Sequence, residues 1–540
     1  MCRLCDEGNP QNHTGPLADS RRNFLKVSTA TAIAAAGVNF LSTPAAASQA
    51  KDDPPSDSGK PGRRYIIRNG SVMSMDPSVG DFPKGDVLVE GKKIVAVGRN
   101  LPVAGATQID ATGRIVMPGF IDTHHHQFET VLRSFLADGV LINDGSGSPS
   151  GSTTYFEFIL LTFAPVYRPQ DVYINELFGG LSQLDDGVTT VHDVSQIHHS
   201  PQHSDAAIQA LIDTGRRAAF GYFESAGAAI IGSNPGNQYP DDAFRINKQW
   251  FSSSDQLVTM IMGGEVYLNG YEKAWKIGRE LGLQVAAHIL SPFNIRPTLD
   301  LLAQGKGGDS GTLGLGPDNL FIHMTGMSDL GWKGVHDAGA QVSLAVPIEM
   351  NMRHGMPPIL KMQSLNMEPS LSVDVECTLT ADFFTQMRST MNMQRMVVNQ
   401  MILDTGLPPN PLNPWPTAPF PAGTPNLLTT RDVLRYGTMN GAKALRLDSK
   451  VGSLTPGKEA DIIILDATAI NVAPLNQVPG AVVSLMDRTN VETVIVAGKV
   501  RKWKGQLLDV DVDKLRRDLE NSRDYVFNKA GIAQNLFSGQ

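Results

Sequence analysis

Three consecutive histidines end a short apolar segment of the chain, in the sequence "GFIDTHHHQFET". If this segment is a β-strand, residues two positions apart point to the same face, so His124 and His126 share a face that His125 does not. Imidazole nitrogens are common ligands of divalent transition metals. The spacing therefore predicts that His124 and His126 can bind one metal ion.

Three further polar residues end other apolar segments. His288 follows "LGLQVAA", His323 follows "NLFI" and Asp374 follows "PSLSV". A single histidine is more often a packed side chain, but five such residues at the ends of four predicted strands are hard to attribute to chance. Imidazole and carboxylate together suit zinc, and also iron, manganese or cobalt.

The middle of the chain alternates short apolar segments with helical ones, which is typical of βα units around a parallel sheet. In "YEKAWKIGRELGL", for example, the apolar residues recur at helical spacing. We predict an α/β fold with a (β/α)8 TIM barrel, whose functional site lies at the C-terminal ends of the strands. The eight predicted strands span residues 119–126, 189–195, 218–224, 257–265, 284–289, 320–324, 341–347 and 369–375.

Strand-rich segments flank this middle region on both sides. "RYIIRNGSVMSMD" and "GDVLVEGKKIVAVG" precede it, and "VETVIVAGKVRKWKG" follows it. Short β-branched runs separated by Gly and Asn-Gly turns indicate a small antiparallel sheet, so we expect one composite β-sandwich domain built from both ends. The predicted boundaries are a signal at 1–47, a linker at 48–63, β-sandwich parts at 64–117 and 451–507, the barrel at 118–450 and a helical tail at 508–540.

The first 47 residues resemble a twin-arginine export signal. "SRRNFLK" pairs Arg21 with Arg22, and an Ala-rich stretch follows, with a cleavage site expected after Ala47. The apolar stretch from Val27 to Leu41 is too short and too polar for stable membrane insertion. We therefore expect recognition by the twin-arginine machinery and a periplasmic or secreted enzyme.

The composition limits the classes of partner. The 540 residues are 41% hydrophobic and 19% charged, with a formal net charge of −8, which is ordinary for a globular chain and gives no reason to expect nucleic acid. A small-molecule substrate is the default. Cys377 is the one cysteine after the leader, so no disulfide forms within a mature chain. The Pro-rich segment Leu407–Pro425 leaves a homo-oligomer open.

The order of the motifs resembles the metal-dependent amidohydrolase superfamily, in the branch of cytosine, guanine and adenosylhomocysteine deaminases and triazine hydrolases. The motifs are "MPGFIDTHHH", "LGLQVAAHI", "NLFIHMTGMSD", "PSLSVDV" and "TMNGAKALRLDSKVGSLTPGKEADIIILD". The resemblance extends from about Arg64 to Leu507. It implies a hydrolase that cleaves a C–N bond with a metal-activated water.

The resemblance also implies a role for each residue. His124, His126, His288 and Asp374 would bind one divalent ion, with zinc favoured over iron, manganese or cobalt. His323 would hydrogen-bond the metal-bound water or the developing oxyanion, and Asp374 would accept the proton of the water. Because both catalytic residues are present, a catalytically inactive metal- or ligand-binding barrel is less favoured.

One position departs from the pattern of this branch. The deaminases have a glutamate three residues after the fifth-strand histidine, which protonates a ring nitrogen, and Ser291 occupies that position here. A serine hydroxyl is too weak an acid for this step, so an amide, carbamate or related substrate is favoured. Deamination or dehalogenation of a nitrogen heterocycle is the alternative, with Glu224, Glu265 or Glu349 replacing the missing acid.

Four residues near strand ends are predicted to contact substrate. His198 and His199 follow the second predicted strand, in "TTVHDVSQIHHSPQH", while Glu265 ends the fourth and Glu349 follows the seventh. Glu265 is also a candidate bridge between two metal ions, although a single ion is favoured.

Overall fold

A computed structural model of the chain describes residues 53–102, 105–142, 154–226, 238–404 and 423–537. The predicted export signal and the start of the predicted linker lie outside these ranges. The strands, in chain order, are β1 (Arg64–Met73), β2 (Asp81–Glu90), β3 (Lys93–Gly98), β4 (Thr107–Asp110), β5 (Arg114–Pro118), β6 (Phe120–His125), β7 (Val188–Ser195), β8 (Arg217–Tyr222), β9 (Val258–Gly263), β10 (Val285–Ile289), β11 (Asn319–His323), β12 (Gln341–Leu344), β13 (Ser370–Leu371), β14 (Ile462–Asp466), β15 (Val491–Val496), β16 (Lys499–Trp503) and β17 (Gln506–Leu507).

The helices of the described ranges all lie between Gln127 and Ala530. The α-helices are Pro169–Asp185, Pro201–Thr214, Ala243–Trp250, Tyr271–Glu280, Arg296–Ala303, Asp329–Ala338, Val346–Asn351, Ile359–Ser364, Phe383–Asp404, Thr430–Arg435, Gly441–Ala444, Val478–Gly480 and Val512–Ala530. Short 3-10 helices are Gln127–Leu132, Ala164–Val166, Ser291–Phe293 and Arg488–Asn490, and π-helical turns are Phe156–Phe163, Tyr436–Asn440 and Ala481–Leu485. Within the described ranges, no helix combines the length and apolar character needed to cross a bilayer.

The helix Asp329–Ala338 illustrates how local sequence sets these boundaries. The Ser328 hydroxyl accepts the N–H of Gly331 at 2.9 Å and so caps the first turn. Gly339 ends the helix with φ of 69°, a left-handed conformation that glycine adopts without a steric cost.

Strands β6 to β13 pair side by side in chain order, and every pairing between them is parallel. The barrel closes between its first and last strands, where the backbone N–H of His126 donates to the Asp374 carbonyl at 2.8 Å and the N–H of Asp374 donates to the His124 carbonyl at 2.9 Å. The predicted (β/α)8 barrel is confirmed, and it closes at the level of the predicted metal ligands.

Several predicted barrel strands are shorter than expected, among them the fourth, the seventh and the eighth. The seventh ends at Leu344 because Val346–Asn351 is helical, with Pro347 in its first turn, where the fixed φ of proline favours a helix start. In the eighth, the strand itself covers only Ser370–Leu371, and an isolated parallel bridge joins Asp374 to His125. Between them the N–H of Val373 donates to a carboxylate oxygen of Asp122 at 3.1 Å.

The flanking strands form a second sheet from both ends of the chain. Its order is β17-β16-β15-β14-β5-β1-β2-β3, with β4 beside β1. The N- and C-terminal parts join where β5 and β14 pair antiparallel, with Pro118 opposite Ile462. The composite β domain is thus observed as one nine-stranded sheet. It is mixed rather than fully antiparallel, since β1 runs parallel to both β4 and β5.

A buried arginine connects the barrel to this second sheet. Arg217, the first residue of β8, is 2% exposed and donates to Glu459 at 2.7 Å and to Asp461 at 3.1 Å, just before β14. Removing one partner of a buried ion pair leaves uncompensated charge in a medium of low dielectric. We expect Arg217→Met to lower the free energy of unfolding by about 3–5 kcal/mol, measured by urea denaturation.

The control for this variant is Lys514→Met, which removes an ion pair to Asp518 on the terminal helix whose two side chains are 63% and 43% exposed. Exposed pairs of this spacing contribute about 0.3–0.5 kcal/mol. Equal losses in the two variants would contradict a special role for Arg217.

Candidate metal centre

The imidazoles of three predicted ligands meet at the C-terminal end of the barrel. The Nε2 atom of His124 lies 3.0 Å from Nε2 of His126 and 3.0 Å from Nε2 of His288. The Oδ1 atom of Asp374 lies 3.6 Å and 3.7 Å from the Nε2 atoms of His124 and His126. All four side chains are buried, so strands β6 and β10 and the segment after β13 bring one donor set together.

Hydrogen bonds fix the orientation of two of these rings. Nδ1 of His126 lies 3.0 Å from the Val194 carbonyl, so it must carry the proton and Nε2 keeps its lone pair. Nδ1 of His288 lies 2.5 Å from Oε1 of Glu265, whose Oε2 accepts the backbone N–H of His288 at 3.0 Å. A ligating histidine that donates its other N–H to a carboxylate or carbonyl is the usual arrangement in metal sites.

The crowded nitrogens provide a test of whether a metal fits. With Nδ1 of His126 and His288 both donating, two Nε2 lone pairs point at Nε2 of His124, which can donate a hydrogen to only one of them. Nδ1 of His124 is buried without a hydrogen-bond partner. A bound cation removes this conflict, and His124, His126 and Asp374 offer ligand atoms within 4.8 Å of one another. The residues therefore fit a divalent metal ion.

Burial also sets the protonation of the cluster. Loss of solvation, followed by the neighbouring imidazoles, holds the pKa values of His124, His126 and His323 well below the ordinary value. Burial, followed by nearby Glu129, raises the pKa of Asp374. Uncharged imidazoles are the form that binds metals.

His323 and Asp374, the two predicted catalytic residues, face each other beside these ligands. Nε2 of His323 lies 3.5 Å from Oδ2 of Asp374. Their φ angles are 72° and 73°, and residues other than glycine hold this left-handed conformation at a cost that is commonest at functional sites. Oδ2 of Asp374 has no hydrogen-bond partner, so it is free to take a proton.

The sequence of this chain matches a known protein family. Residues 115–501 match the amidohydrolase family. The chain belongs to the amidohydrolase family. The predicted family and the prediction of a hydrolase acting on C–N bonds are confirmed at this level.

Named relatives of this amidohydrolase include several deaminases. The 5'-deoxyadenosine deaminase of Methanosarcina barkeri is 26% identical over 473 residues, covering 85% of this chain and 97% of the relative. The 5-methylthioadenosine/S-adenosylhomocysteine deaminase of Pelotomaculum thermopropionicum is 24% identical, with 84% and 97% covered.

Two solved structures with zinc share the fold of this amidohydrolase. An adenosine deaminase from Xanthomonas campestris superposes with a TM-score of 0.68 at 20% identity, covering 88% of this chain and 100% of the other. The atrazine chlorohydrolase TrzN from Arthrobacter aurescens superposes with a TM-score of 0.67 at 18% identity, covering 85% and 100%. At these identities the likeness shows the fold alone.

A small cavity of about 40 Å³ opens over the centre of this amidohydrolase. Its described lining is mainly apolar and aromatic. The lining residues are His126, Leu141, Tyr155, Leu160, Gln196, Tyr267, His288, Leu290, Phe293, His323, Met352, His354, Asp374 and Val375.

The four residues predicted to contact substrate do not line this cavity. Glu265 uses both carboxylate oxygens on His288, and Glu349 accepts the N–H of Ala345 at 3.0 Å while its Oε1 lies 3.1 Å from Nδ1 of His323. Burial raises the pKa of Glu349 to about 8. Each glutamate thus contacts Nδ1 of a histidine, Glu265 that of His288 and Glu349 that of His323.

The two predicted loop histidines are also engaged by protein groups. The ring nitrogens of His198 lie 2.9 Å from the Ser204 hydroxyl and 2.9 Å from the Ser195 carbonyl. Those of His199 lie 2.7 Å from the Ser225 hydroxyl and 2.8 Å from the Ala164 carbonyl. They therefore hold loops in place and have no nitrogen left for a substrate.

The carboxylates considered as replacements for the missing acid lie away from the described cavity wall. Glu224 accepts the N–H of Glu265 at 2.9 Å, and burial raises its pKa to about 8. Ser291 itself is exposed and begins a short 3-10 helix.

One histidine of the described cavity wall was not predicted from sequence. His354, in "MNMRHGMPP", lies after the helix Val346–Asn351, and its ring packs edge-to-face on His323 with centroids 4.7 Å apart. Burial lowers its pKa to about 3. A single histidine in a Met-rich loop matches no periodic pattern or motif, so the sequence carried no signal for it.

The contact between Glu265 and His288 predicts a measurable effect on metal affinity. In Glu265→Gln the charged acceptor behind the ligand is lost while the shape is kept, so the imidazole becomes a weaker ligand. Such outer partners typically contribute 10- to 100-fold in affinity, and we expect a loss of about that size in a chelator competition titration. Glu280→Gln, an exposed change at the end of the helix Tyr271–Glu280, should leave affinity unaltered, and equal affinities in the two variants would contradict the role of Glu265.

Proposed function

We propose that this amidohydrolase binds one divalent transition metal ion, most favourably zinc, through His124, His126, His288 and Asp374, and hydrolyses a C–N bond in a small organic compound. The observation that carries the proposal is the convergence of the Nε2 atoms of His124, His126 and His288. Oδ1 of Asp374 lies within 3.7 Å of the first two, and His323 lies beside Oδ2. Three or four nitrogen and oxygen ligands with an open side are typical of catalytic zinc sites. Iron, manganese and cobalt suit the same donors.

A divalent ion held by His124, His126, His288 and Asp374 would act as a Lewis acid and make a water molecule acidic enough to supply hydroxide near neutral pH. Asp374 is placed to do two tasks, because Oδ1 faces the ligands while Oδ2 faces His323 and is unpaired. Oδ2 takes the proton of the attacking water as the C–O bond forms. It then gives that proton to the departing nitrogen as the C–N bond breaks.

His323 donates a hydrogen bond to the oxygen or nitrogen bound to the reacting carbon. Glu349 lies against its Nδ1, so when the glutamate holds the proton, Nε2 of His323 carries an N–H toward Asp374 and the cavity. A donor placed in advance stabilises the oxygen or nitrogen that becomes negative in the transition state. The left-handed backbone at His323 holds this donor at the cavity floor.

We propose an amide, carbamate or related acyl compound as the substrate class. Protonation of an aromatic ring nitrogen requires a positioned acid, and Ser291 is exposed outside the described cavity wall. A carbonyl carbon needs no such acid. Deamination or dehalogenation of a nitrogen heterocycle is the second candidate, and it is supported by the deaminase names of the relatives.

A substrate panel tests the two candidates. The metal-loaded enzyme is assayed for amine or ammonia release with anilides, carbamates and ureas beside adenosine-type nucleosides, cytosine, guanine and amino- or chlorotriazines. We expect turnover of acyl compounds. Efficient deamination of a base with the acyl compounds untouched would establish the second candidate instead, and no release from any compound by fully loaded protein would contradict both.

We also propose export by the twin-arginine machinery to the periplasm or the medium. "SRRNFLK", followed by an Ala-rich stretch, supports this proposal, and the pathway carries folded proteins, which suits an enzyme that binds its metal before export. Changing Arg21 and Arg22 together to Lys should keep active precursor inside the cell. Mature protein found outside the cell despite both changes would contradict it.

A further inference from the structure

One buried polar side chain of the cavity has no partner in the protein and no place in the proposed metal centre. His354 is 3% exposed, and both Nδ1 and Nε2 lack a hydrogen-bond partner. Native proteins seldom leave a buried donor and acceptor unpaired, because the lost solvation costs about 1–3 kcal/mol. The partner of this ring is therefore expected to come from a molecule that enters the cavity.

The backbone around His354 holds the ring in a defined position. The Thr325 hydroxyl donates to the His354 carbonyl at 2.5 Å. The next residue, Gly355, has φ of 117°, and a Cβ there would lie 3.1 Å from Cβ of Thr325. The ring itself packs edge-to-face on His323. A side chain fixed in this way loses little entropy when it binds a ligand.

His354 lies on the catalytic side of the cavity. Ligand atoms of His323, His354 and Asp374 all lie within 4.8 Å of one another. A compound whose reacting carbon is held by His323 and Asp374 therefore places the atoms next to that carbon within reach of the His354 ring.

The rest of the described cavity wall disfavours a charged substrate. It contains four aliphatic side chains, three aromatic ones and Met352, and apart from Asp374 it has no acidic, lysine or arginine side chain. The Tyr155 hydroxyl is already engaged, since it donates to Glu129. An ionised substrate group would be desolvated here without a counter-charge, at a large energetic cost.

We propose that His354 is a substrate-binding residue that hydrogen-bonds the heteroatom next to the scissile C–N bond of an uncharged, mainly apolar compound such as an aryl amide or carbamate. This inference rests on the proposed function and narrows its substrate class.

The test measures binding and metal content separately from turnover. Acetanilide, an uncharged probe, and 4-acetamidobenzoate, the same molecule with a carboxylate, are titrated into zinc-loaded enzyme by calorimetry. We expect acetanilide to bind at least about tenfold more tightly. His354→Phe, which keeps an aromatic ring without its nitrogens, should weaken acetanilide by about tenfold, with unchanged zinc per chain. His354→Asn, which keeps a donor and an acceptor, should recover part of the loss.

The control is His336→Phe on the helix Asp329–Ala338, whose side chain is 48% exposed and lies outside the described cavity wall, and it should bind both probes as the unaltered enzyme does. Loss of a metal equivalent in His354→Phe would make His354 a ligand of a second ion and overturn the inference. Equal affinity for the two probes, unaltered binding by His354→Phe, or no binding of acetanilide would also overturn it. Binding as expected without hydrolysis of any acyl compound would instead contradict the proposed function.

Discussion

His126→Ala is expected to lose its bound metal and to reduce turnover by about 10³-fold or more. The ring is one of the predicted ligands, with Nε2 at 3.0 Å from Nε2 of His124 and Nδ1 held by the Val194 carbonyl. A Lewis acid supplies several kcal/mol of transition-state stabilisation, and each 1.36 kcal/mol is about tenfold in rate. Metal per chain by mass spectrometry and kcat on the best substrate of the panel measure both effects.

His125→Ala is the matched control, since this neighbouring histidine is equally buried but faces away from the centre. Its nearest charged atoms belong to Asp122 at 3.7 Å and Glu376 at 3.8 Å. The variant should keep its metal and lose about 1–3 kcal/mol of stability, as is common for a truncated core residue. If His125→Ala lost metal while His126→Ala kept it, the assigned register of β6 would be wrong.

The convergence of the metal ligands was predictable because two simple rules place them. Alternation along a strand puts His124 and His126 on one face, and a closed parallel barrel brings the C-terminal ends of all its strands to one rim. The structure adds how closely they are held. Two backbone hydrogen bonds between strand one and Asp374, at 2.8 Å and 2.9 Å, fix the carboxylate against the histidine pair before any ligand binds.

The sequence could not show which residues around the predicted ligands line the cavity and which contact a histidine instead. Glu265 and Glu349 follow strands, as cavity residues do, but whether a side chain reaches the cavity or the back of a histidine depends on the few residues after the strand. The short helix at Val346–Asn351 turns Glu349 toward His323. His354, ten residues after Leu344, reaches the cavity through a loop whose path no periodic pattern describes.

The left-handed backbone of the two predicted catalytic residues was also not predictable from the sequence. Strand patterns predict an extended conformation for both His323 and Asp374, whereas their φ angles are 72° and 73°. This left-handed conformation is uncommon for residues other than glycine, although His and Asp adopt it more often than most. β11 ends at His323, whereas β13 ends at Leu371, three residues before Asp374. The side chains of His323 and Asp374 face each other, 3.5 Å apart.

Asp374→Asn separates the ligand role of this residue from its role in proton transfer. The amide keeps an oxygen for the metal but is not a useful base, so the attacking water loses its proton acceptor. General base catalysis contributes about 10²- to 10⁴-fold, and we expect a loss of kcat in that range per bound metal ion, with at least half of the metal retained.

The control is Asp329→Asn, at a side chain that is 95% exposed, which should leave kcat within about twofold, as surface changes usually do. A variant at Asp374 that retained its metal and more than a tenth of the activity would show that another group accepts the proton, and His323, the nearest ring to the unpaired Oδ2, would then be the residue to change next.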